Sequence, residues 1–279
     1  MAPRETNDRI HDTKSGKQAR GEPLDEVQSD LFRPSCIPSN SKVYSGVDLS
    51  TSPANTGVAF VANGPAGLVA WRLPAHLPAN DRLICRIFGF SEAMAIDVPL
   101  GWPNHFVRAL RAHRQGRPYL WPPLGHLDDV AWRVTDKEIH TRLSIDPLRV
   151  TADRIGKTAM RGAAIQSVLP NGPYPRDGSE KIIETYPAAV LKALALRHNG
   201  YKQGPECRKL RSKLLVGLSR AFKMTFRPNL ARQCVDSHDL LDAVICAIIA
   251  HEAKHGRTVT PTTRREKFSA RTEGWIHTP

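Results

Sequence analysis

The sequence predicts an α/β fold in which helices flank a mixed sheet. Short apolar runs bounded by turn residues indicate strands, and longer stretches with apolar residues three or four positions apart indicate helices. The two kinds of segment succeed one another along the chain, which is typical of a sheet covered by helices. The length of 279 residues and the 41% hydrophobic content suffice for one large domain or two small ones.

The first half of the chain is predicted to form most of the sheet. The predicted strands of this half cover residues 43–48, 58–62, 67–73 and 93–98. Turn residues separate the first three strands closely, so we expect an antiparallel meander. A helix is predicted over 81–90, where Leu83 and Ile87 recur at helical spacing. Residues 1–40 are polar and charged without an apolar period, so we expect a disordered tail with a short helical turn over 25–32.

The second half is predicted to be mainly helical, with one more strand. A helical insertion follows the fourth strand over about residues 104–180, and a fifth strand is predicted over 181–185. The predicted helices cover residues 106–113, 136–143, 152–169, 188–197, 207–222 and 237–255. Thr135 is the expected N-cap of the second of these helices, and Pro187 suits the start of the fourth. Strands and helices together predict one domain over residues 41–279.

The charge balance favours an anionic partner. Lysine and arginine number 40 against 27 aspartates and glutamates, which leaves a formal net charge of +13. Nucleic acid is the first candidate partner, and an acidic membrane surface is the second. A basic tail on an ordinary enzyme is the alternative explanation of the charge.

The cysteines and the hydropathy indicate a cytoplasmic protein. The five cysteines form no C-x-x-C pair and their number is odd, which argues against a zinc module and a disulfide framework. A reducing cytosol suits this pattern. No apolar run reaches the roughly 18 residues that a membrane-spanning helix needs, so no membrane insertion is expected.

Four aspartates are predicted to converge at one edge of the sheet. Asp48 and Asp97 each end an apolar strand, while Asp239 and Asp242 begin the most apolar helix and share a face of it. Carboxylates in an apolar setting repel one another, and a divalent metal ion is the usual remedy. Two-metal phosphoryl chemistry requires such oxygens, which Mg²⁺ and Mn²⁺ prefer as ligands. We therefore expect a Mg²⁺ or Mn²⁺ site with Asp48 as the bridging ligand.

Each of these acids also has a structural explanation. Asp48 can accept hydrogen bonds where its strand turns, and Asp239 can cap the helix near Ser237. Asp242 can pair with a nearby lysine or arginine. Taken together in apolar surroundings, the four acids favour the metal site.

Five motifs in a fixed order carry a resemblance to a known family. They are GVDLS at 46–50, AIDVPLGW at 95–102, RVTD at 133–136, ETYP at 184–187 and SHDLLDA at 237–243. With these motifs and the closing EGWIHTP, the chain resembles the predicted nucleases of ribonuclease H-like fold known as domain of unknown function family 429. The resemblance covers residues 42–279 and leaves the N-terminal tail without a role.

The resemblance implies a fold and a set of site residues. A ribonuclease H-like fold has a five-stranded mixed sheet flanked by helices. It carries acids on the first strand, at the end of the fourth strand and on a late helix. By this resemblance Asp48, Asp97, Asp239 and Asp242 are catalytic metal ligands, and Glu184 is a further catalytic residue.

Three other polar residues leave two interpretations each. Arg133 either contacts a substrate phosphate bidentately or pairs with Asp136 to hold the insertion to the core. Glu184 is either a site residue or the partner of a turn or of Arg133. His238 is either an outer ligand or proton shuttle, or a local hydrogen-bonding group at the helix start.

A basic cluster is the predicted nucleic-acid contact. It consists of Lys202, Arg208, Lys209, Arg211 and Lys213. These residues either follow a nucleic-acid backbone or form a solvated helix face, and the basic composition of the whole chain favours the first.

The sequence therefore predicts a metal-dependent nuclease that hydrolyses phosphodiester bonds of DNA or RNA. Two other functions stay open: a non-catalytic nucleic-acid-binding protein on the same fold, and a phosphotransferase of the related actin and sugar-kinase scaffold. The phosphotransferase needs glycine-rich phosphate loops in two domains, whereas residues 48–57 hold one glycine. Junction-resolving relatives act as dimers, so the resemblance also leaves a homodimer open.

Overall fold

The computed structural model describes residues 33–65, 67–119, 122–123 and 126–279. The expected helical turn over 25–32 and most of the predicted tail lie outside these residues. Within 33–40 the chain forms turns, in which Arg33 donates a hydrogen bond to the backbone carbonyl of Ser39 (2.8 Å). Ile37 is buried in the core. The last residues of the predicted tail therefore pack against the domain.

One mixed sheet of seven strands runs through the described chain. Its strands are β1 (Tyr44–Asp48), β2 (Gly57–Gly64), β3 (Gly67–Arg72), β4 (Ala93–Asp97), β5 (Ile182–Thr185), β6 (Met224–Thr225) and β7 (Ile276–His277). The order is β6-β3-β2-β1-β4-β5-β7, in which β2 is antiparallel to β1 and β3 and the other described pairs are parallel. The predicted α/β fold with a mixed sheet is confirmed. The two strands beyond the predicted five have two residues each, too few to show an alternating pattern.

Helices precede and follow most of these strands. They are α1 (Asp81–Phe90), α2 (Asn104–Arg114), α3 (Asp128–Ala131), α4 (Val134–Leu143), α5 (Gly156–Ser167), α6 (Pro187–Ala193), α7 (Cys207–Ala221), α8 (Pro228–Asp236), α9 (His238–Lys254) and α10 (Arg264–Glu273). Every predicted helix from residue 81 onward is present, and the ends differ by four residues at most. Among the described helices, none has the length and apolar character needed to cross a bilayer.

Helices α3, α8 and α10 are not predicted by the apolar pattern. Helix α10 buries only Ser269, Ala270 and Glu273, so it shows no apolar period. Its Thr-x-x-Glu capping box, in which Thr263 and Glu266 exchange hydrogen bonds at the helix start, is the signal that the sequence offers.

The predicted N-cap of α4 is wrong by two residues. Arg133 occupies the cap position, and Thr135 lies inside the helix. The Thr135 hydroxyl instead accepts a hydrogen bond from the backbone N–H of Ile276 (2.7 Å), which ties α4 to β7.

Helices cover both faces of the sheet and enclose two cores. On one face, α9 with α6, α7 and α8 covers side chains such as Tyr44 and Ala95. On the other face, α1 and α5 cover side chains such as Val47 and Ile96. Side chains of a strand alternate between the two faces, so the position of each strand residue determines the helical layer that it meets.

Helix α9 lies directly against β1 and β2 because of two glycines. A Cβ atom at Gly46 would lie 2.1 Å from the carbonyl oxygen of Ala243, and one at Gly57 would lie 2.2 Å from that of Asp239. Any larger residue would push the helix away from the sheet. The first turns of α9 therefore lie beside the end of β1, where the sequence places a predicted ligand.

Candidate metal centre

Asp48 and Asp97 lie side by side at the ends of two parallel strands. They are register partners in the β1–β4 pair. Asp48 shares the sheet face of Gly46, and Asp97 shares that of Ala95, which is the face covered by α9. Both acids are half-buried. The two strand acids thus converge as the sequence predicts.

Asp242 completes this group from the helix. Its side chain is fully buried in α9. Asp48, Asp97 and Asp242 each offer a carboxylate oxygen, and these oxygens all lie within 4.8 Å of one another. The neighbouring Ala243 contacts Gly46, so this part of α9 lies directly on β1.

Asp48 belongs to a second group as well. Asp48, His238 and Asp239 also offer ligand atoms within 4.8 Å of one another. His238 Nδ1 lies 2.9 Å from Asp239 Oδ1. The four aspartates therefore form two overlapping groups that share Asp48, and we call Asp48, Asp97, Asp239 and Asp242 the aspartate cluster. Sharing by Asp48 is the arrangement expected of a bridging ligand.

Burial and mutual repulsion raise the pKa of three carboxyl groups in this cluster. For Asp48 burial is the main cause, followed by the charges of Asp242 and Asp97. Burial raises the pKa of Asp97 to about 7, although Lys202 opposes the shift. Burial also raises the pKa of Asp242. The cluster therefore takes up a proton or another cation more readily than ordinary aspartates do.

The loop between α6 and α7 supplies two partners for Asp242. The Tyr201 hydroxyl donates a hydrogen bond of 2.8 Å to Oδ1, and Lys202 Nζ lies 2.7 Å from Oδ2. Burial opposes the charge of Lys202, but Asp242, Asp97 and Asp48 raise its pKa above the ordinary lysine range. No motif in the sequence marks Tyr201 as a site residue, because its role depends on how the loop folds back onto α9.

The predicted basic cluster does not form one exposed face. Lys202 lies in the aspartate cluster instead, and Arg211 is 4% exposed. Arg211 donates hydrogen bonds to the carbonyls of Tyr201 (2.6 Å) and Val235 (2.7 Å), so it holds the loop that carries Lys202. Arg208 and Lys209 each form an exposed ion pair with an acid. Arg211 thus has a structural role, whereas a phosphate contact by the exposed Arg208, Lys209 and Lys213 stays a prediction.

Glu184 lies on the opposite face of the sheet from Asp48 and Asp97. It is the register partner of Ile96, which faces the core under α1 and α5. Arg133 Nη1 donates a hydrogen bond of 2.8 Å to Glu184 Oε2, and Arg133 Nη2 lies 2.7 Å from an oxygen of Asp136. Arg133 is 1% exposed and Glu184 is 2% exposed. Of the two interpretations of Arg133, the geometry supports its pairing with acids.

These three residues, Arg133, Asp136 and Glu184, form what we call the arginine-centred cluster. Glu184 Oε2 also accepts a hydrogen bond from the backbone N–H of Leu100 (2.9 Å). A Cβ atom at Gly274, whose φ is 95°, would lie 2.3 Å from the same oxygen, so the position requires glycine. The cluster thus joins α4, β5 and the end of α10.

A cleft of about 480 Å³ opens beside the aspartate cluster. Asp48 and Asp97 form part of its wall, Arg154 and Lys202 add cations, and His198 borders it with a pKa that burial lowers. Clefts of this volume are typical of ligand sites. Acids beside basic groups suit an anionic ligand that binds together with cations.

The comparison with protein families assigns the chain. Residues 46–266 match the family model described as "Protein of unknown function (DUF429)". The chain belongs to this family. The matched part of this DUF429 protein contains both the aspartate cluster and the arginine-centred cluster, and the description states no activity for the family. The chain matches no curated protein and no solved structure.

Proposed function

We propose that this DUF429 protein is a nuclease that hydrolyses phosphodiester bonds with divalent metal ions. The observation that carries the proposal is the meeting of Asp48, Asp97 and Asp242 at one edge of the sheet, with oxygens within 4.8 Å of one another. Such a concentration of carboxylates is unfavourable unless cations neutralise it. Phosphoryl chemistry commonly uses cations held in this way.

The residues of the aspartate cluster fit Mg²⁺ or Mn²⁺. Carboxylate oxygens are the ligands that these ions prefer. Asp48, Asp97 and Asp242 would hold one ion, and Asp48 with Asp239 would hold a second, with His238 close by. When bound, the ions supply the activation of a water molecule and the neutralisation of charge on the leaving oxygen.

Tyr201 and Lys202 orient Asp242 and balance its charge. The Tyr201 hydroxyl fixes one carboxylate oxygen and leaves the other to Lys202. The Lys202 side chain is 43% exposed and borders the cleft, so its ammonium can turn from Asp242 to a substrate phosphate. Lys202 would then stabilise the substrate's negative charge next to the acids.

A ribonuclease H-like core is part of the proposal. The strand order β3-β2-β1-β4-β5, with β2 antiparallel to its neighbours, agrees with a five-stranded mixed core that β6 and β7 extend at its edges. Acids on the central β1, at the end of β4 and on the late helix α9 agree with the arrangement that the resemblance implies.

A non-catalytic nucleic-acid-binding protein is the second candidate. The ion pair between Lys202 and Asp242 favours it, because this lysine already supplies a cation to the aspartate cluster. In such a protein the acids and the lysine would form a charge network that needs no metal ion.

A cleavage assay separates the two candidates. Labelled single-stranded, duplex, hybrid and branched nucleic acids are incubated with Mg²⁺, Mn²⁺ or EDTA. We expect metal-dependent cleavage that falls by roughly a thousandfold or more in the Asp48→Asn, Asp242→Asn double variant, as when groups that stabilise a transition state are removed. The matched control is the double variant Asp129→Asn, Glu180→Gln, which removes two exposed acids and should cleave like wild type.

The pattern of results decides between the proposals. Equal cleavage by the two double variants would exclude the aspartate cluster as the active site. An absence of cleavage with unchanged binding in all proteins would favour the non-catalytic candidate. An absence of both cleavage and binding would exclude nucleic acid and direct attention to small phosphorylated substrates.

A further inference from the structure

Helix α2 carries three exposed arginines on one side. Arg108, Arg111 and Arg114 are spaced by three residues, so they follow one side of the helix over about 9 Å. The helix contains no acidic residue. Within the described ranges, no ion pair involves these three arginines. Three close and unpaired positive charges favour the binding of an anion between them.

Helix α10 adds further cations beside α2. Arg264, Arg265 and Arg271 are exposed, and no ion pair involves them in the part of the chain that the structure describes. The end of α10 contacts the start of α2, where the Thr272 hydroxyl donates a hydrogen bond of 3.1 Å to the side chain of Asn104. The basic surface therefore comprises exposed arginines on two helices that contact each other at Asn104 and Thr272.

The acids of α10 do not neutralise this surface. Glu266 accepts hydrogen bonds from backbone N–H groups at the start of α10, including that of Thr263 (2.9 Å). Glu273 is buried and accepts hydrogen bonds from the N–H groups of Asn104 and Val134, each of 2.8 Å. Both glutamates are engaged at helix starts and form no ion pair with these arginines in the described chain, so six arginines keep an excess of positive charge over two glutamates.

We propose that these two helices bind the phosphodiester backbone of a nucleic acid and guide it to the aspartate cluster. We call their exposed arginines the arginine face: Arg108, Arg111, Arg114, Arg264, Arg265 and Arg271. The guanidinium group matches phosphate oxygens in geometry and stays charged at every physiological pH. Guidance toward the acids rests on the proposed nuclease function, whereas backbone binding does not.

A short, well-fixed segment connects the arginine face to the acids. Seven residues after Asp97 the chain enters α2 at Asn104. Between them the Leu100 N–H donates to Glu184, and a Cβ atom at Gly101 would lie 2.1 Å from the carbonyl oxygen of Thr272. The segment is therefore packed against β5 and the end of α10. A strand bound on α2 would be held in a fixed position relative to the end of β4.

Nucleic acid fits the arginine face better than a membrane surface does. A helix that inserts into a membrane interface presents a broad apolar side. The arginine face has no such broad side: α2 exposes Val107 and Leu110 between its arginines, and α10 exposes Phe268, which is 71% exposed among cations. A single aromatic ring surrounded by arginines suits stacking on a nucleic-acid base.

Binding in EDTA tests the arginine face apart from catalysis. The affinity for labelled single-stranded and duplex oligonucleotides is measured by fluorescence anisotropy at several salt concentrations. In the full chain, the variant Arg108→Gln, Arg111→Gln, Arg114→Gln is expected to bind roughly tenfold or more weakly, with a salt slope lower by about 2–3. The matched control is Arg220→Gln, Arg232→Gln, Lys254→Gln. It removes three exposed cations from α7, α8 and α9, which cover the face of the sheet that holds Tyr44 and Ala95.

Each outcome decides the inference. Weaker oligonucleotide binding by the α2 variant, with near-normal binding by the control, supports the inference. A triple Arg→Lys variant of the same residues that keeps most of the affinity shows that the loss of charge, and not a folding defect, weakens binding. Equal loss in both triple variants overturns it, as does wild-type binding to anionic lipid vesicles without binding to oligonucleotides. Oligonucleotide binding by the wild type without any cleavage would support the arginine face as a binding surface and refute only the nuclease function.

Discussion

The two clusters of acids at this edge of the sheet differ in how their charge is compensated. In the arginine-centred cluster, one guanidinium lies between the carboxylates of Asp136 and Glu184, and each contact measures 2.7–2.8 Å. In the aspartate cluster, the ammonium of Lys202 pairs with Asp242 and also acts on Asp48 and Asp97. With every group ionised, the first cluster has one cation for two carboxylates and a net charge of −1, whereas the second has one cation for three carboxylates and a net charge of −2.

This difference separates a structural ion pair from a candidate site. Burial raises the pKa of Glu184, and the charge and hydrogen bond of Arg133 oppose that shift. Arg133 also donates hydrogen bonds to Asp136, so each acid of this network has a cationic partner. The excess charge beside Lys202 remains available to an added cation. The position of each acid on one face of the sheet or the other decides to which cluster it belongs.

Removing the arginine should produce the largest effect. Arg133→Leu leaves two buried carboxylates without the cation that pairs with both, and we expect the free energy of unfolding to fall by about 3–5 kcal/mol. Chemical denaturation monitored by circular dichroism measures this change.

Two controls sharpen this prediction. Arg208→Leu breaks an exposed ion pair with Asp236 and should cost less than about 1 kcal/mol. Arg133→Leu should cost less in a Glu184→Gln background, because one of the stranded charges is then absent. A cost of Arg133→Leu as small as that of Arg208→Leu would remove the basis for calling the cluster a structural network.

Metal addition should stabilise the protein through the aspartate cluster alone. At a Mn²⁺ concentration a hundred times the dissociation constant, we expect the free energy of unfolding to rise by about 2.7 kcal/mol, as mass action requires. Thermal melting at pH 8 with and without Mn²⁺ measures the gain. Asp97→Asn should abolish it, whereas Glu184→Gln should keep it. Loss of the gain in both variants would mean that the two clusters do not act separately.

The pH dependence of stability should reveal the excess negative charge, with a smaller effect for each pH unit. The pKa of Asp97 is about 7 in the folded protein against an ordinary value of 3.8. Between these two values the folded state keeps a proton that the unfolded state releases. In EDTA, stability should therefore fall as pH rises from about 4 to 7, with a slope of at most about 1.4 kcal/mol per pH unit from this group.

Denaturation at a series of pH values checks this prediction. Asp97→Asn should flatten the curve, because an amide does not titrate. Asp129→Asn should leave the slope unchanged, since its partner Lys137 holds the pKa of Asp129 below the ordinary value. A slope that is the same in wild type and Asp97→Asn would contradict the raised pKa.

Particular residues show what could be predicted from the sequence. Asp48 and Asp97 end apolar runs, and parallel strands bring such ends to one edge, so their meeting follows from the local pattern. Glu184 lies one residue before the end of β5, where its pairing with Ile96 places it on the opposite face from Asp97. The pattern of one strand cannot reveal this, because register is set by the pairing of two strands.

Long-range contacts account for the site residues that the sequence does not reveal. Lys202 and Arg211 belong to one basic stretch, yet one faces the acids and the other is buried beneath the loop. Conversely, the arginines of α2 and α10 are 150 or more positions apart in the chain, and their two helices contact each other only in the folded protein. Charge counted along the sequence therefore does not locate a basic surface.

The smallest expected effect concerns the hydroxyl group of Tyr201. Tyr201→Phe removes the hydrogen bond to Asp242 Oδ1, which helps to keep the pKa of Asp242 from rising further. We expect the free energy of unfolding to fall by about 1 kcal/mol and the affinity for Mn²⁺ at pH 7 to decrease.

Tyr186→Phe is the matched control, because Tyr186 also borders the cleft but its hydroxyl makes no hydrogen bond to the described residues. Denaturation and calorimetric titration with Mn²⁺ measure the two quantities. Identical results for the two variants would show that Tyr201 only fills space, and Lys202 would then be the sole partner that orients Asp242.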